Sequence, residues 1–294
     1  MSKYAFLKDP GIRAFLEEGE RLYPDNAMNF TIAEQRAFYT KYCQHFAGVR
    51  PVRVKVADFR VDDVLCRCYT APSATAQLLY LHGGGFVVGG LDSHDSICAD
   101  LADQAGIEVI AVEYALAPEH SFPIAFDQCW AVLQTLGPCI VAGDSAGGNL
   151  AAALCLKARD LGLTQIKGQV LIYPGLGGDT TRGSFISQAD APGLSTRDVI
   201  TYRNLYCGND HKLAAPLRET NFAGLPPAFL VACAHDPLHD DCYDYAARLK
   251  AAGVQAEVRE EPDLVHAFLR ARYMSRPAGT SFKAIVAAVK AFAA

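Results

Sequence analysis

No basic block, no long apolar run and no repeated segment occurs anywhere in this 294-residue chain. Net charge is −5, with no interleaving of aromatic and basic residues, so a nucleic-acid partner has no electrostatic support. No stretch approaches the length of a membrane span, and Met1 to Pro10 lacks the apolar core of a signal peptide. These absences lead to the expectation of a soluble, cytoplasmic protein. Ten cysteines are present but no Cys-x-x-Cys. Cys98, Cys129, Cys139, Cys155 and Cys233 stand singly inside apolar runs, and the alternation Cys66-Arg67-Cys68 turns both thiols to one face of a strand. Buried free thiols therefore fit better than a disulfide or metal framework. What remains is ordinary globular composition, 51% apolar and 20% charged, enough for one large α/β domain or two small ones.

The chain opens on helical spacing, with Ile12, Phe15, Leu16, Leu22 and Tyr23 following Asp9-Pro10. Thr31 to Glu34 is a capping-box pattern that starts a second helix toward Phe46. Val52, Val54 and Val56 then alternate with Arg53 and Lys55, and Val64 to Tyr69 follows a turn at Asp62-Asp63, which predicts an antiparallel pair at a sheet edge. From Gln77 the pattern changes. Apolar strands at Leu78–Leu81, Ile107–Val112, Cys139–Ala142, Gln169–Tyr173, Ala228–Cys233 and Val254–Glu260 alternate with amphipathic helices. These helices cover Ser93–Ala105, the Phe126, Cys129, Trp130 and Leu133 face, the run after Ala146, Asp240–Ala252, and a last one through Phe282, Ile285, Val286, Val289 and Phe292. Unbroken apolar strands separated by helices predict a mostly parallel central sheet covered on both faces. Pro174 to Pro227 is too long for a simple connection and has its own helical signal at Arg197–Tyr206. We expect a single α/β domain over 1–294, with about 1–48 and about 178–220 forming a helical cap over the strand ends, where ligands bind in such sheets.

Gly143-Asp144-Ser145-Ala146-Gly147 joins a predicted strand to a predicted helix, and only small neighbours allow a serine on so sharp a turn. A serine hydroxyl needs a base, and the base needs an orienting carboxylate. Asp236 follows the strand Ala228–Cys233 and His266 follows the strand Val254–Glu260, so the order along the chain is Ser145, Asp236, His266. His82-Gly83-Gly84-Gly85-Phe86 leaves an earlier strand as three consecutive glycines, whose N–H groups can turn toward one point beside that of Ala146. One such donor is typically worth about 3–4 kcal/mol of barrier. Other readings of the same residues stay open. Asp263 is an alternative orienter. Asp240, Asp241 and Asp244 are rivals that a helix start would explain equally well. His235 and His239 are spaced as a metal pair, but Pro237 between them argues against one helix. His82 reads as a shaper of its loop, and His94 with Asp95 as a cap or tether for the following helix. His45, His120 and His211 have no motif around them. The glycine loop lacks the Lys-Ser/Thr of a phosphate cradle.

His82 to Phe86, Gly143 to Gly148, Asp236-Pro237-Leu238 and His266 together resemble the bacterial hormone-sensitive-lipase family of carboxylesterases. The flanks Thr31–Arg36, Gly90–Asp95 and Leu264–Leu269 are similar to those of bacterial acetyl esterases. The resemblance implies an α/β-hydrolase fold and a serine esterase without cofactor. It makes Ser145 the nucleophile, His266 the base and then acid, and Asp236 its orienter, with the N–H groups of Gly84, Gly85 and Ala146 as oxyanion hole and no metal. Its substrate would be a small acyl ester, acetyl to butyryl, the small residues Gly89 and Gly90 leaning the same way. No nucleic-acid or membrane partner is implied, and a homodimer stays open. Three departures stand out: Ala115 where many relatives carry arginine, Ala267 where many carry glycine, and a short Gly137-Pro138 link. Because the base must be neutral imidazole, activity is expected to fall in acid. Rival readings are a hydrolase fold retained for binding alone, and amide hydrolysis by the same triad.

Overall fold

The computed structural model describes residues 2–22, 30–72, 74–207 and 211–294. The expectation for Tyr23 lies outside them. Eight strands form one sheet: β1 (Lys55–Val61), β2 (Val64–Thr70), β3 (Gln77–Leu81), β4 (Glu108–Val112), β5 (Cys139–Asp144), β6 (Ile166–Ile172), β7 (Ala228–His235) and β8 (Ala256–Val265). Their order is β1-β2-β4-β3-β5-β6-β7-β8, antiparallel across β1, β2 and β4 and parallel from β4 to β8.

The helices are α1 (Pro10–Leu22), α2 (Ile32–His45), α3 (Leu91–Ala105), α4 (Ile124–Gln134), α5 (Ala146–Asp160), α6 (Ser184–Ser187), α7 (Thr196–Tyr206), α8 (His239–Ala251) and α9 (Arg276–Ala293). Strand side chains point alternately to two cores. Leu79, Leu81 and Val141 meet α4, α5 and α8 on one face. Leu78, Tyr80, Ile140 and Ala142 meet α1, α3 and α9 on the other. Both faces are dry, so the inner strands read as continuous apolar runs with no polar alternation. The thiols of Cys98, Cys129, Cys139, Cys155 and Cys233 are buried in these two layers.

The edge strand differs from its predicted start. Val52 is fully exposed, and β1 begins only at Lys55. The turn at Asp62-Asp63 pairs Val61 with Val64 and sets the register backward from there to Lys55 opposite Thr70. Val52 and Val54 precede that register while Val56 lies inside it opposite Tyr69, and Val54 turns into the α1/α3/α9 core with Val56 packed beside it. At the other edge β7 and β8 run further than predicted, to His235 and Val265, with a register shift between Cys233 and His235. As a result Asp236 and His266 each follow directly on a strand end. Of the N-terminal helices, α1 is built into the core through Ile12, Phe15 and Leu16. From α2, Ile32 and Tyr39 pack onto Val87 and Val88 beside the glycine loop. Among the described residues, no helix is long and apolar enough to cross a membrane.

Candidate active site

β5 passes into α5 without a spacer, and Ser145 on the turn holds φ 55° and ψ −117°, a conformation that L-residues rarely adopt. Its N–H donates to Ile172 O at 2.9 Å, which fixes the turn against β6. A β-carbon on Gly147 would collide with the Leu81 carbonyl, and one on Gly143 with the Gly147 backbone. The outer two glycines of the pentapeptide are thus demanded by how closely β3, β5 and α5 approach one another.

The three residues nominated from chemistry and chain order come together. His266 Nδ1 lies 2.7 Å from Asp236 Oδ2, and His266 Nε2 lies 2.9 Å from Ser145 Oγ. Asp236 is fully buried, and its other oxygen accepts from Leu238 N–H at 2.9 Å. A carboxylate only accepts, so Nδ1 carries the proton and Nε2 is left to accept from the serine hydroxyl. That tautomer is the one a general base requires. The ring of Tyr173, at the end of β6, packs 4.8 Å from the imidazole.

The glycine loop folds back on itself, with Val87 and Val88 N–H both donating to Gly84 O at 3.1 and 3.0 Å. Among the described residues, the N–H groups of Gly84, Gly85 and Ala146 find no acceptor. Gly85 sits at φ 61°, where a glycine is at no disadvantage. His82 bonds Gly83 O through Nδ1 at 2.9 Å and stacks on Tyr114 with ring centres 4.1 Å apart. Burial, with the neighbouring His94, lowers its pKa to about 3, so His82 is a neutral spacer under the loop. Gly89 and Gly90 do not widen a pocket. A β-carbon on Gly89 would meet Gly83 O at 2.5 Å and His82 Nδ1 at 2.6 Å, and one on Gly90 would meet the Glu113 carboxylate at 2.6 Å. Their smallness is used in packing, so it says nothing about acyl length.

The rival residues are occupied elsewhere. Asp240 accepts from Ser184 N–H, Asp241 from Leu176 N–H, and Asp244 pairs with Arg182. His235 ends β7 while His239 opens α8 and faces Asp240 and Glu260, so the two share no helix. The only described bond of His266 Nδ1 is to Asp236, and Asp263 has no described bond to it.

Sequence reasoning missed a buried charged cluster behind the elbow. Asp144 Oδ1 accepts from Tyr80 OH at 2.7 Å and from Gly83 N–H at 3.0 Å, and Oδ2 lies 3.3 Å from His94 Nε2. Arg270 reaches Ser93 O, His94 Nε2 and Tyr39 OH at 2.9, 3.2 and 3.0 Å. Burial pushes the Asp144 carboxyl upward. His94, Arg270 and the Tyr80 hydroxyl outweigh that and hold it well below the usual carboxylate range. One carboxylate therefore ties the glycine loop to the residue beside Ser145. His94 is a tether, as its position predicted: Nδ1 lies 2.8 Å from Ser93 Oγ in its own helix, and Nε2 faces Asp144 and Arg270. The only available signal was an acidic residue inside the serine pentapeptide, which no spacing rule links to an arginine 126 positions later.

A family model described as the α/β-hydrolase fold matches residues 78–270. The esterase LipI of Mycobacterium tuberculosis is 38% identical, over 74% of this chain and 75% of its own length. The ethyl acetate hydrolase of Pseudomonas putida is 36% identical, over 67% of each chain. Among solved structures, the hyperthermophilic esterase of the archaeon Pyrobaculum calidifontis superposes with a TM-score of 0.87 at 28% identity, over 97% of this chain and 98% of that one.

Proposed function

This chain belongs to the α/β-hydrolase family, in its bacterial hormone-sensitive-lipase branch of carboxylic ester hydrolases, and from that premise we propose that it cleaves short-chain acyl esters through Ser145, His266 and Asp236. The observation that carries the mechanism is the continuous contact from Asp236 through His266 to Ser145 Oγ, at 2.7 and 2.9 Å. Ser145 Oγ attacks the ester carbonyl while His266 Nε2 takes its proton. The carbonyl oxygen, now negative, is received by the N–H groups of Gly84, Gly85 and Ala146, which have no other partner among the described residues. His266 then returns the proton to the departing alcohol, leaving Ser145 acylated. Water, deprotonated by the same imidazole, attacks the acyl carbonyl, and the acid leaves as Ser145 recovers its proton. Asp236 keeps Nδ1 protonated and stabilises the imidazolium formed midway.

The preference for acetyl to butyryl groups is supported by the acetyl-esterase-like flanks and by the likeness to an enzyme named for ethyl acetate. A cap made from α2 and residues 178–220 is supported by the packing of both onto the glycine loop. The test is a series of p-nitrophenyl esters from acetate to decanoate on the wild type and on Ser145→Ala. We expect hydrolysis greatest at short chains and its loss in the variant. Turnover that survives in Ser145→Ala removes the mechanism, and a maximum at decanoate removes the short-chain assignment.

A further inference from the structure

α7 presents two neighbouring residues to two different places. Tyr202 lies against the oxyanion loop: a β-carbon on Gly85 would sit 2.5, 2.6 and 2.7 Å from its Cγ, Cδ2 and Cδ1. The space beside Gly85 is therefore filled by that ring. One turn later Tyr206 stacks on Phe86, with centroids 3.8 Å apart and planes 3° from parallel. Positions four apart share a helix face, so this face of α7 lies along Gly85 and Phe86. Tyr202 also joins two small apolar clusters, Phe185, Leu194, Val199 and Leu238 on one side and Val87, Val88 and Ala117 on the other.

Arg203 points away from the loop into the base of the excursion. Its Nη1 donates to Gly178 O at 2.8 Å, its guanidinium lies 5.0 Å from the Phe185 ring centre, and its Nη2 is 3.6 Å from Asp241 Oδ2. That Nη2 is buried with no hydrogen bond of its own, so charge alone holds it toward α8. Asp241 in turn accepts from Leu176 N–H at 2.6 Å and Gly178 N–H at 3.4 Å. The pair thus fixes both the start of the excursion and the helix that carries Tyr202.

We propose that Tyr202 determines which esters reach Ser145, and that Arg203 and Asp241 are positioning residues that hold its ring over the oxyanion loop. This deepens the ester-hydrolase reading and rests on it. A carbonyl oxygen received by the Gly84 and Gly85 N–H groups lies within side-chain reach of the ring that covers Gly85, and a long chain on that carbonyl has to pass it. Shortening Tyr202 opens the way for longer esters, and enlarging it closes the site further. The pair acts only through the ring, so disturbing it changes the length preference in the same sense as shortening the ring.

The experiment measures kcat and KM for p-nitrophenyl acetate, butyrate, octanoate and decanoate on the wild type, Tyr202→Ala, Tyr202→Trp and Asp241→Asn. Active sites are counted in each by the p-nitrophenol burst with diethyl p-nitrophenyl phosphate. We expect the decanoate-to-acetate ratio of kcat/KM to rise at least about tenfold in Tyr202→Ala, through KM for the long ester, and to fall in Tyr202→Trp. Asp241→Asn should raise it in the same direction. A ratio within twofold of wild type in both Tyr202 variants, or an equal loss at every length, overturns the role of Tyr202. An unchanged ratio in Asp241→Asn, with a full burst showing an intact site, overturns the positioning role. A wild type with neither turnover nor burst fails at the ester-hydrolase reading itself, and this proposal falls with it.

Discussion

Of the non-glycine residues that hold a positive φ next to the proposed chemistry, Ser145 and Ala267 do so for different reasons. At Ser145 the φ of 55° aims the hydroxyl out of the β5–α5 turn toward His266, a strain of about 1–3 kcal/mol that the surrounding contacts impose. At Ala267 the backbone is left-handed, φ 61° and ψ 20°, directly after His266. A left-handed turn of this kind favours glycine. A β-carbon in that region costs about 1–2 kcal/mol, offset in part by the lower chain entropy of alanine. Ala267→Gly should therefore raise unfolding stability by about 0.5–1 kcal/mol, read from denaturant unfolding. Destabilisation would mean that the methyl group packs usefully, contrary to this reading. At this scale the sequence was most legible where chemistry dictates residue type. Ser145, Asp236 and His266 were recognisable because a nucleophile, a base and an orienter must follow strand ends in a set order. Asp144 and Arg270 were not, since a buried ion cluster leaves neither a period nor a spacing.

The elements follow their sequence signals where local physics decides them. Ser195 accepts from Asp198 N–H at 3.1 Å while the Asp198 side chain accepts from Ser195 N–H at 3.0 Å, a complete capping box at the start of α7. Val199 and Tyr206 are the buried residues of this short helix, so the cap has a large share in keeping it formed. Ser195→Ala should cost about 1 kcal/mol of stability, measured by urea unfolding. If α7 positions the ring over Gly85, the same variant should also lower KM for p-nitrophenyl decanoate relative to acetate, and an unaltered ratio would detach the helix from the site. The elements that went astray did so at the sheet edges. The valines of 52–56 placed the strand start three residues early because the Asp62-Asp63 turn, not local pattern, sets the pairing of β1 from Lys55. The strand β7 outran its apolar signal because it ends on His235, and β8 because Glu261, Pro262 and Asp263 interrupt the pattern before the buried Leu264 and Val265.

For the whole molecule, the parallel sheet with two covered faces was readable from periodicity, whereas the anchoring of the long excursion after β6 was not. Its return leg is fixed by charge. Glu219 accepts from Lys212 Nζ at 2.8 Å, from Arg159 Nη2 at 3.0 Å, and from Thr220 and Asn221 N–H at 2.8 and 2.9 Å. Partial burial raises its carboxyl, but the Asn221 N–H and the Lys212 ammonium prevail and hold its pKa down to about 2. The folded chain thus releases this proton more readily than the unfolded one. Glu219 stabilises the fold above the ordinary glutamate range, and that contribution disappears as pH falls from about 4.5 toward 2. Glu219→Gln should lower the melting temperature by a few degrees at pH 7 and much less near pH 2, and a difference independent of pH would refute the assignment. The central claim is that Ser145 is the group acylated during ester hydrolysis. Its most direct test is mass spectrometry of the protein after one turnover with diethyl p-nitrophenyl phosphate. We predict a single diethylphosphoryl group on Ser145, none on Ser145→Ala, and loss of esterase activity in step with labelling. A label on any other residue, or full esterase activity in the labelled protein, would contradict the account.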